Sequence, residues 1–185
     1  MNYRFREFLD SDLSNSDYIF IDPPWNYPPT KFSSEFWKEL SYIDLFQEIK
    51  SPMLFIYVTL DNLPLMMSSH LESEYDLKAL IPYARVKSDE GALYSITHGF
   101  KNQLQYVAVF QSSRSDVNIS TLCKDIIVED DNSFKRPIKW EEKMFLELMS
   151  QHRLEGVYIL PEGTVAATTN SNISSISQMS KKELF

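Results

Sequence analysis

The chain has 185 residues, enough for one domain with a single hydrophobic core but too few for two. Hydrophobic residues make up 43% and charged residues 24%, as in an ordinary globular protein. No stretch approaches the roughly 18 apolar residues of a membrane span, and Met1–Arg6 lacks the apolar segment of a signal peptide. We therefore expect a cytoplasmic protein, nuclear if the host is a eukaryote, that does not contact membranes.

The charge balance weighs against a chain that binds nucleic acid strongly by itself. The formal net charge is −8, from 18 Lys and Arg against 26 Asp and Glu. Contacts with phosphates need basic side chains, and the densest basic cluster is Lys135, Arg136, Lys139 and Lys143. If nucleic acid is the partner, either this cluster or a second subunit, including a second copy in a homodimer, must supply the basic groove.

Cys123 is the only cysteine, which excludes an internal disulfide and a multi-cysteine metal site. Its neighbours Leu122, Ile126 and Ile127 are apolar, which favours a buried side chain over a nucleophile. No set of His, Asp and Glu has the spacing of metal ligands, so we expect no metal.

In the first half of the chain, apolar runs alternate with helical spacing. A short apolar run at 17–21 predicts a buried strand, and a Pro- and Tyr-rich loop at 26–34 follows it. The pattern then predicts a helix, a strand, a helix and a strand, at 42–50, 53–59, 62–74 and 77–86.

In the second half, strands are predicted at 104–110 and 125–128, and we expect them to form an antiparallel pair at a sheet edge. The next segment, 140–151, has helical spacing, and 156–160 is a final strand. In the predicted helix, apolar residues lie on one side (Phe145, Leu148 and Met149) and charged residues on another (Glu141, Glu142 and Lys143).

Alternating strands and helices predict an α/β fold with a mostly parallel sheet and an antiparallel edge pair. We expect one domain over 1–170 and a Ser- and Asn-rich tail, 171–185, without a fixed structure. Ligands of such sheets bind beyond the carboxyl ends of the strands. Two strand ends carry distinctive side chains, at 22–25 and 161–170.

The sequence Asp22-Pro23-Pro24-Trp25 directly follows the first buried strand and suits chemistry on an aromatic amine. The lone pair of such an amine is delocalised into its ring, so two hydrogen-bond acceptors on its two protons make the nitrogen more nucleophilic. The Asp22 carboxylate and the Pro23 carbonyl are the candidate acceptors, held in place beforehand by the stiff prolines. If the aromatic amine belongs to a nucleic-acid base, Trp25 or Tyr27 can stack on that base. A base within a duplex must first be flipped out of the helix.

At these residues the chain resembles the N6-adenine methyltransferases that carry a DPPW motif. They form the superfamily of the eukaryotic messenger-RNA 6-methyladenine writer and its phage and bacterial relatives. Shorter segments resemble the family in the same order along the chain, at 41–45, 54–59, 85–87, 97–99 and 136–137. The resemblance implies a Rossmann-like, three-layer methyltransferase fold with a permuted motif order, catalytic motif first and cofactor strand (157–164) last.

The resemblance also implies a cofactor, S-adenosylmethionine. The family's pattern assigns Lys87 and His98 to the cofactor, and Asp22 lies beside its reactive methyl. The final strand and loop add further candidates for cofactor binding, which are Gly163, Thr164, Thr169 and Asn170. Tyr27, Lys135 and Arg136 are the candidates for binding the nucleic acid.

The sequence thus predicts an S-adenosylmethionine-dependent N6-adenine methyltransferase that acts on nucleic acid. We expect DNA rather than RNA, because a short form without an RNA-binding module is similar to phage and bacterial members. Two alternatives stay open. The single glycine of the final loop, Gly163, and the acidic charge favour a silent partner subunit of a methyltransferase complex. Related motifs also serve methyltransferases for other planar amines.

Overall fold

The computed structural model of the chain describes residues 4–23, 40–86, 105–119, 127–130, 138–160 and 165–167, which form a seven-stranded mixed sheet with helices on both faces. The helices are α1 (Phe5–Leu9), α2 (Tyr42–Glu48), α3 (Leu63–His70) and α4 (Ile138–Ser150), with a short 3-10 helix at Asp12–Asn15. The strands are β1 (Tyr18–Ile21), β2 (Met53–Thr59), β3 (Tyr75–Val86), β4 (Gln105–Ser112), β5 (Ile127–Asp130), β6 (Gly156–Ile159) and β7 (Val165–Ala167).

The strands lie in the order β5-β3-β4-β2-β1-β6-β7. In the centre, β1 pairs in parallel with β2 on one side and with β6 on the other. Two strands reverse direction, since β4 is antiparallel to both β2 and β3, and β7 is antiparallel to β6. Because β5 is parallel to β3, the strands β1, β2, β3, β5 and β6 all run one way. The predicted α/β fold is therefore confirmed, and the sheet is mixed, with three parallel and three antiparallel pairings among the described strands.

The prediction that β4 and β5 form an antiparallel edge pair is wrong. Strands β4 and β5 do not pair, because β3 lies between them and is antiparallel to β4 and parallel to β5. The residues from Val107 to Ser112 are all buried, and continuous burial is typical of a strand inside a sheet rather than at its edge. An antiparallel pair does close the opposite edge of the sheet, where β7 follows β6.

Alternate residues of β1 face two different cores. Ile19 and Ile21 belong to the core under α1, α2 and α3, whereas Tyr18 and Phe20 belong to the core under α4. All four side chains are fully buried, and Phe20 stacks on Phe55 of β2 with ring centroids 4.3 Å apart. Fully burying one such side chain stabilises the fold by about 1.5–3 kcal/mol. The result is a three-layer arrangement in which β1 lies inside the sheet, between β2 and β6.

Element boundaries mostly follow the sequence pattern, and the departures have local causes. Strand β2 covers the predicted 53–59. The helix predicted over 62–74 ends at His70, where the Ser73 backbone and hydroxyl groups both donate to the His70 carbonyl and close a turn. Helix α1 and strand β7 were not predicted. None of the helices in the described part of the chain has the length and apolar character of a transmembrane segment.

Candidate functional site

Strand β1 delivers Asp22 to the carboxyl end of the sheet. The Asp22 amide donates a hydrogen bond to the Ile159 carbonyl at 3.0 Å, so the pairing of β1 with β6 continues one residue past Ile21. Pro23 has no N–H group and ends this ladder. Asp22 is half-buried and Pro23 is buried. The first two residues of the predicted motif therefore have a fixed backbone and partial shelter from water.

The chain leaves β1 and β6 in opposite directions. From β1 it passes through α2 to β2 on one side, and from β6 it turns back into β7 on the other side. In an α/β sheet, adjacent strands whose connections diverge leave a crevice at their carboxyl ends, where ligands bind. Asp22 and Pro23 lie at the carboxyl ends of β1 and β6, beside Leu160, where this rule predicts a ligand crevice.

All the other predicted site residues lie outside the described part of the chain. They are Pro24, Trp25, Tyr27, Lys87, His98, Lys135, Arg136, Gly163, Thr164, Thr169 and Asn170.

The described elements nevertheless show where the chain enters and leaves several of these segments. Strand β3 ends at Val86, immediately before Lys87, at the same end of the sheet as Asp22. The chain between β6 and β7, which includes Gly163 and Thr164, starts and returns at this end too. Strand β7 then runs toward the opposite end of the sheet, since Ala167 pairs with Val157. Thr169 and Asn170 follow that strand.

Glu141 lies on the buried side of α4, not on the charged side where the sequence pattern placed it. Its side chain is only 2% exposed. It lies on the buried face together with Met144, Phe145 and Leu148, which follow it by three, four and seven residues. A buried carboxyl group is costly unless hydrogen bonds compensate it.

The partners of Glu141 are two tyrosines on the strands that flank β1. The Tyr57 hydroxyl of β2 donates to Glu141 Oε1, and the Tyr158 hydroxyl of β6 lies 3.3 Å from the same oxygen. Sequence reasoning missed this cluster, although two signals were present. Each tyrosine hydroxyl interrupts an apolar strand and needs a partner, and Glu141 has the spacing of the buried face.

The described residues show no arrangement for a metal ion. No group of three or more His, Cys, Asp or Glu side chains in those ranges is placed to hold one.

Comparison with solved structures shows which known fold this chain resembles. The structure of M1.HpyAVI in complex with SAM matches with a TM-score of 0.51 and 14% sequence identity, over 76% of this chain and 68% of that one. The fold is methyltransferase-like. A second structure of M1.HpyAVI matches with a TM-score of 0.46 and 14% identity, over 76% of this chain and 65% of that one. This chain thus spans about two thirds of the length of M1.HpyAVI.

Sequence comparison adds no family to this methyltransferase-like fold. No protein-family model matches the chain, and no match was found among curated proteins. At 14% identity, the likeness to M1.HpyAVI shows the fold alone. The function must be argued from the residues of this chain.

Proposed function

We propose that this chain is an S-adenosylmethionine-dependent methyltransferase that acts on the exocyclic amino group of adenine in nucleic acid, DNA rather than RNA. One observation carries the proposal. An Asp-Pro pair, Asp22 and Pro23, follows the carboxyl end of β1, where the chain leaves β1 and its neighbour β6 in opposite directions. The methyltransferase-like fold supports this function, and the resemblance of Asp22-Pro23-Pro24-Trp25 to the DPPW motif narrows it to an aromatic amine.

The proposed role of the two residues is to prepare the amine. The Asp22 carboxylate accepts a hydrogen bond from one N–H of the adenine amine, and the Pro23 carbonyl accepts from the other. These acceptors hold the nitrogen closer to a tetrahedral shape, which frees its lone pair for attack. The bond from the Asp22 backbone to β6 supports this role, because it holds the residue that carries one acceptor in place before the substrate arrives. The Asp22 carboxylate also accepts the proton that the nitrogen releases.

The described residues fit a cationic methyl donor in their chemistry. When bound, S-adenosylmethionine supplies a methyl group made reactive by a positively charged sulfonium. In this proposal, the half-buried carboxylate of Asp22 stabilises that positive charge. Gly163, Thr164, Lys87 and His98 complete the proposed cofactor site.

Two further candidate residues for cofactor binding come after β7 in the sequence. Thr169 and Asn170 follow β7, which runs away from the crevice.

For the substrate, we propose that Trp25 and Tyr27 stack on the adenine and that Lys135 and Arg136 contact phosphates. The net charge of −8 supports a partner subunit or a second copy that completes the basic groove. The same charge is the observation that favours a second candidate function, a silent subunit that supports another methyltransferase. A methyltransferase for another planar amine is the third possibility, because an acidic surface does not hinder a small substrate.

The decisive experiment is methyl transfer by the purified chain. The chain is incubated with methyl-labelled S-adenosylmethionine and with single-stranded DNA, duplex DNA and RNA of matched sequence, each of which contains adenine. The products are then digested to nucleosides and separated. The expected product is 6-methyladenine, with more in DNA than in RNA.

Three results would count against this function in different ways. Label in RNA alone would reverse the choice of substrate. Binding of S-adenosylmethionine with no label in any nucleic acid would favour the third possibility. Binding of neither S-adenosylmethionine nor its product in calorimetry, with no transfer, would favour the silent subunit.

A further inference from the structure

Glu141 is a glutamate buried in the hydrophobic core under α4. Its side chain is 2% exposed and lies in the same core as Phe20, Phe145 and Tyr158. Replacing a buried polar or ionic cluster by apolar residues of similar volume is often neutral or stabilising. Stability therefore gives little reason for a glutamate at this position.

The hydrogen bonds of Glu141 join the two strands on either side of β1. Ile21 pairs with Ile56, so position 22 is level with Tyr57 on β2, while Phe20 pairs with Tyr158 on β6. Both tyrosine hydroxyls meet Glu141 Oε1. The Glu141 side chain thus bridges β2 and β6 across β1, on the face of the sheet that packs against α4. Its two tyrosine partners are level with positions 20 and 22 of the chain.

Helix α4 brings Glu141 to the correct end of the sheet. The helix leads into β6, and the Leu154 amide after it donates back to the Leu148 carbonyl in its last turn, at 3.0 Å. The next residue, Glu155, donates its amide to Asp17 Oδ2 at 2.9 Å, so the carboxyl end of the helix lies near the start of β1. Its first turn, which contains Glu141, therefore lies toward the end of the sheet that carries Asp22. The helix dipole favours a carboxylate in this first turn.

We propose that Glu141 is a positioning residue for methyl transfer, acting through Tyr57 and Tyr158. The cluster holds the carboxyl ends of β2 and β6 at fixed distances from β1, and so fixes Asp22 and Pro23 relative to the crevice. This inference rests on the proposed function. It adds that the alignment of amine and methyl donor depends on a buried polar cluster that touches neither of them. A misplacement of about 1 Å costs up to about 100-fold in rate, so small shifts of these strands matter.

The test separates alignment from stability with an all-apolar variant. Glu141→Leu alone removes the acceptor of two buried hydroxyls and is expected to lower the unfolding midpoint. The triple variant Glu141→Leu, Tyr57→Phe and Tyr158→Phe has no such hydroxyls and is expected to regain the wild-type midpoint. Glu141→Gln keeps an acceptor oxygen at the same place. Tyr75→Phe is the matched control, a buried tyrosine under the other face of the sheet.

We expect the substitutions to lower kcat and to leave the binding of substrate and cofactor unchanged. In the triple variant, kcat for labelled methyl transfer falls by about 10- to 100-fold. The KM for the nucleic acid and the affinity for S-adenosylhomocysteine, measured by calorimetry, stay at wild-type values. Glu141→Gln restores most of kcat, and Tyr75→Phe lowers stability without lowering kcat.

Several results would overturn the positioning role. Wild-type kcat in a stable triple variant would make the cluster structural only. Lost binding of S-adenosylhomocysteine by a folded variant would make it part of the cofactor site, and an inactive Glu141→Gln would assign the effect to charge. If the triple variant does not fold, Tyr57→Phe and Tyr158→Phe serve singly, and a kcat no lower than that of Tyr75→Phe sinks the idea. Failure of the proposed function is visible separately, in a wild-type chain that neither transfers methyl groups nor binds S-adenosylhomocysteine.

Discussion

The backbone amide of Asp22 donates a hydrogen bond to the carbonyl of Ile159, at 3.0 Å. This bond joins the residue that carries the proposed chemistry to the strand that borders the proposed cofactor site. It involves only backbone atoms, so it is kept when the Asp22 side chain is replaced. Substitutions at this position therefore change the chemistry of the crevice while the course of the chain is preserved.

Replacing Asp22 by Ala is expected to lower kcat by about 10²–10³, the usual effect of removing one preorganised polar contact from a reaction centre. Asp22→Asn keeps the shape and one acceptor oxygen, and is expected to lose less. The measurement is incorporation of labelled methyl groups into adenine-containing DNA.

The matched control for Asp22 is Asp116, which is an exposed aspartate after another strand. It follows β4, whose carboxyl end lies at the opposite end of the sheet because Gln111 pairs with Met53. Asp116→Ala should keep the wild-type rate. Full activity in Asp22→Ala, with Asp116→Ala also active, would remove Asp22 from the reaction.

The position of Asp22 could be predicted because the signals are local. An uninterrupted apolar run before a Pro-Pro pair indicates a buried strand that must stop, and the acidic residue falls at that stop. The structure agrees, with β1 ending at Ile21. The same reasoning found β2 and β6, whose residues are buried throughout.

Strand pairing could not be predicted, because it depends on contacts between distant parts of the chain. Nothing local to β4 reveals that β2 and β3 both pair with it. Strand β7 has only three residues, too few for a clear alternation. Glu141 was misplaced because residue type was allowed to outweigh helical spacing, which puts it on the buried face.

Cofactor binding should be visible as stabilisation, independent of any nucleic acid. A ligand that binds only the folded chain stabilises it by about 2.7 kcal/mol at one hundred times its Kd, which raises Tm by roughly 5–10 °C for a chain of this size. We expect this rise with S-adenosylmethionine and S-adenosylhomocysteine in a thermal melt. Adenosine, which lacks the amino-acid part, should give a smaller rise. An unchanged Tm at millimolar S-adenosylmethionine would favour the silent subunit.

Gly156 is required at the start of β6 by lack of space. A Cβ atom at this position would overlap the Tyr18 ring and lie within 2.5 Å of its Cζ atom. Tyr18 is fully buried, with the rings of Phe55 and Phe145 both 6.3 Å away, so it has little freedom to move. Gly156→Ala should cost about 1–3 kcal/mol of unfolding free energy in urea denaturation.

A double-mutant cycle tests the cause of that cost. Tyr18→Leu removes the ring atoms that the new Cβ would meet, so Gly156→Ala should be less harmful in the Tyr18→Leu background. Strictly additive effects would show that the ring is not the obstacle.

The buried tyrosines predict a loss of stability in alkali. Burial raises the pKa of Tyr75 to about 12, with smaller effects from Arg114, which lowers it, and Glu74, which raises it. Burial also raises the pKa of Tyr42. An unfolded tyrosine has a pKa of about 10, so above pH 10 the unfolded chain releases a proton that the folded chain retains. Stability is therefore complete below pH 10 and falls as the pH rises toward 12.

Tyr75→Phe isolates the contribution of one tyrosine to this alkaline loss. The substitution removes hydrogen bonds from the Tyr75 hydroxyl to the carbonyls of Ile49, at 2.9 Å, and Ser51, at 2.5 Å. It should cost about 1–2 kcal/mol at pH 8. Between pH 10 and 12, however, the variant should lose about 2 kcal/mol less than the wild type, because it has no phenol to ionise at this position. Parallel curves of unfolding free energy against pH for the two proteins would show that Tyr75 ionises equally in both states.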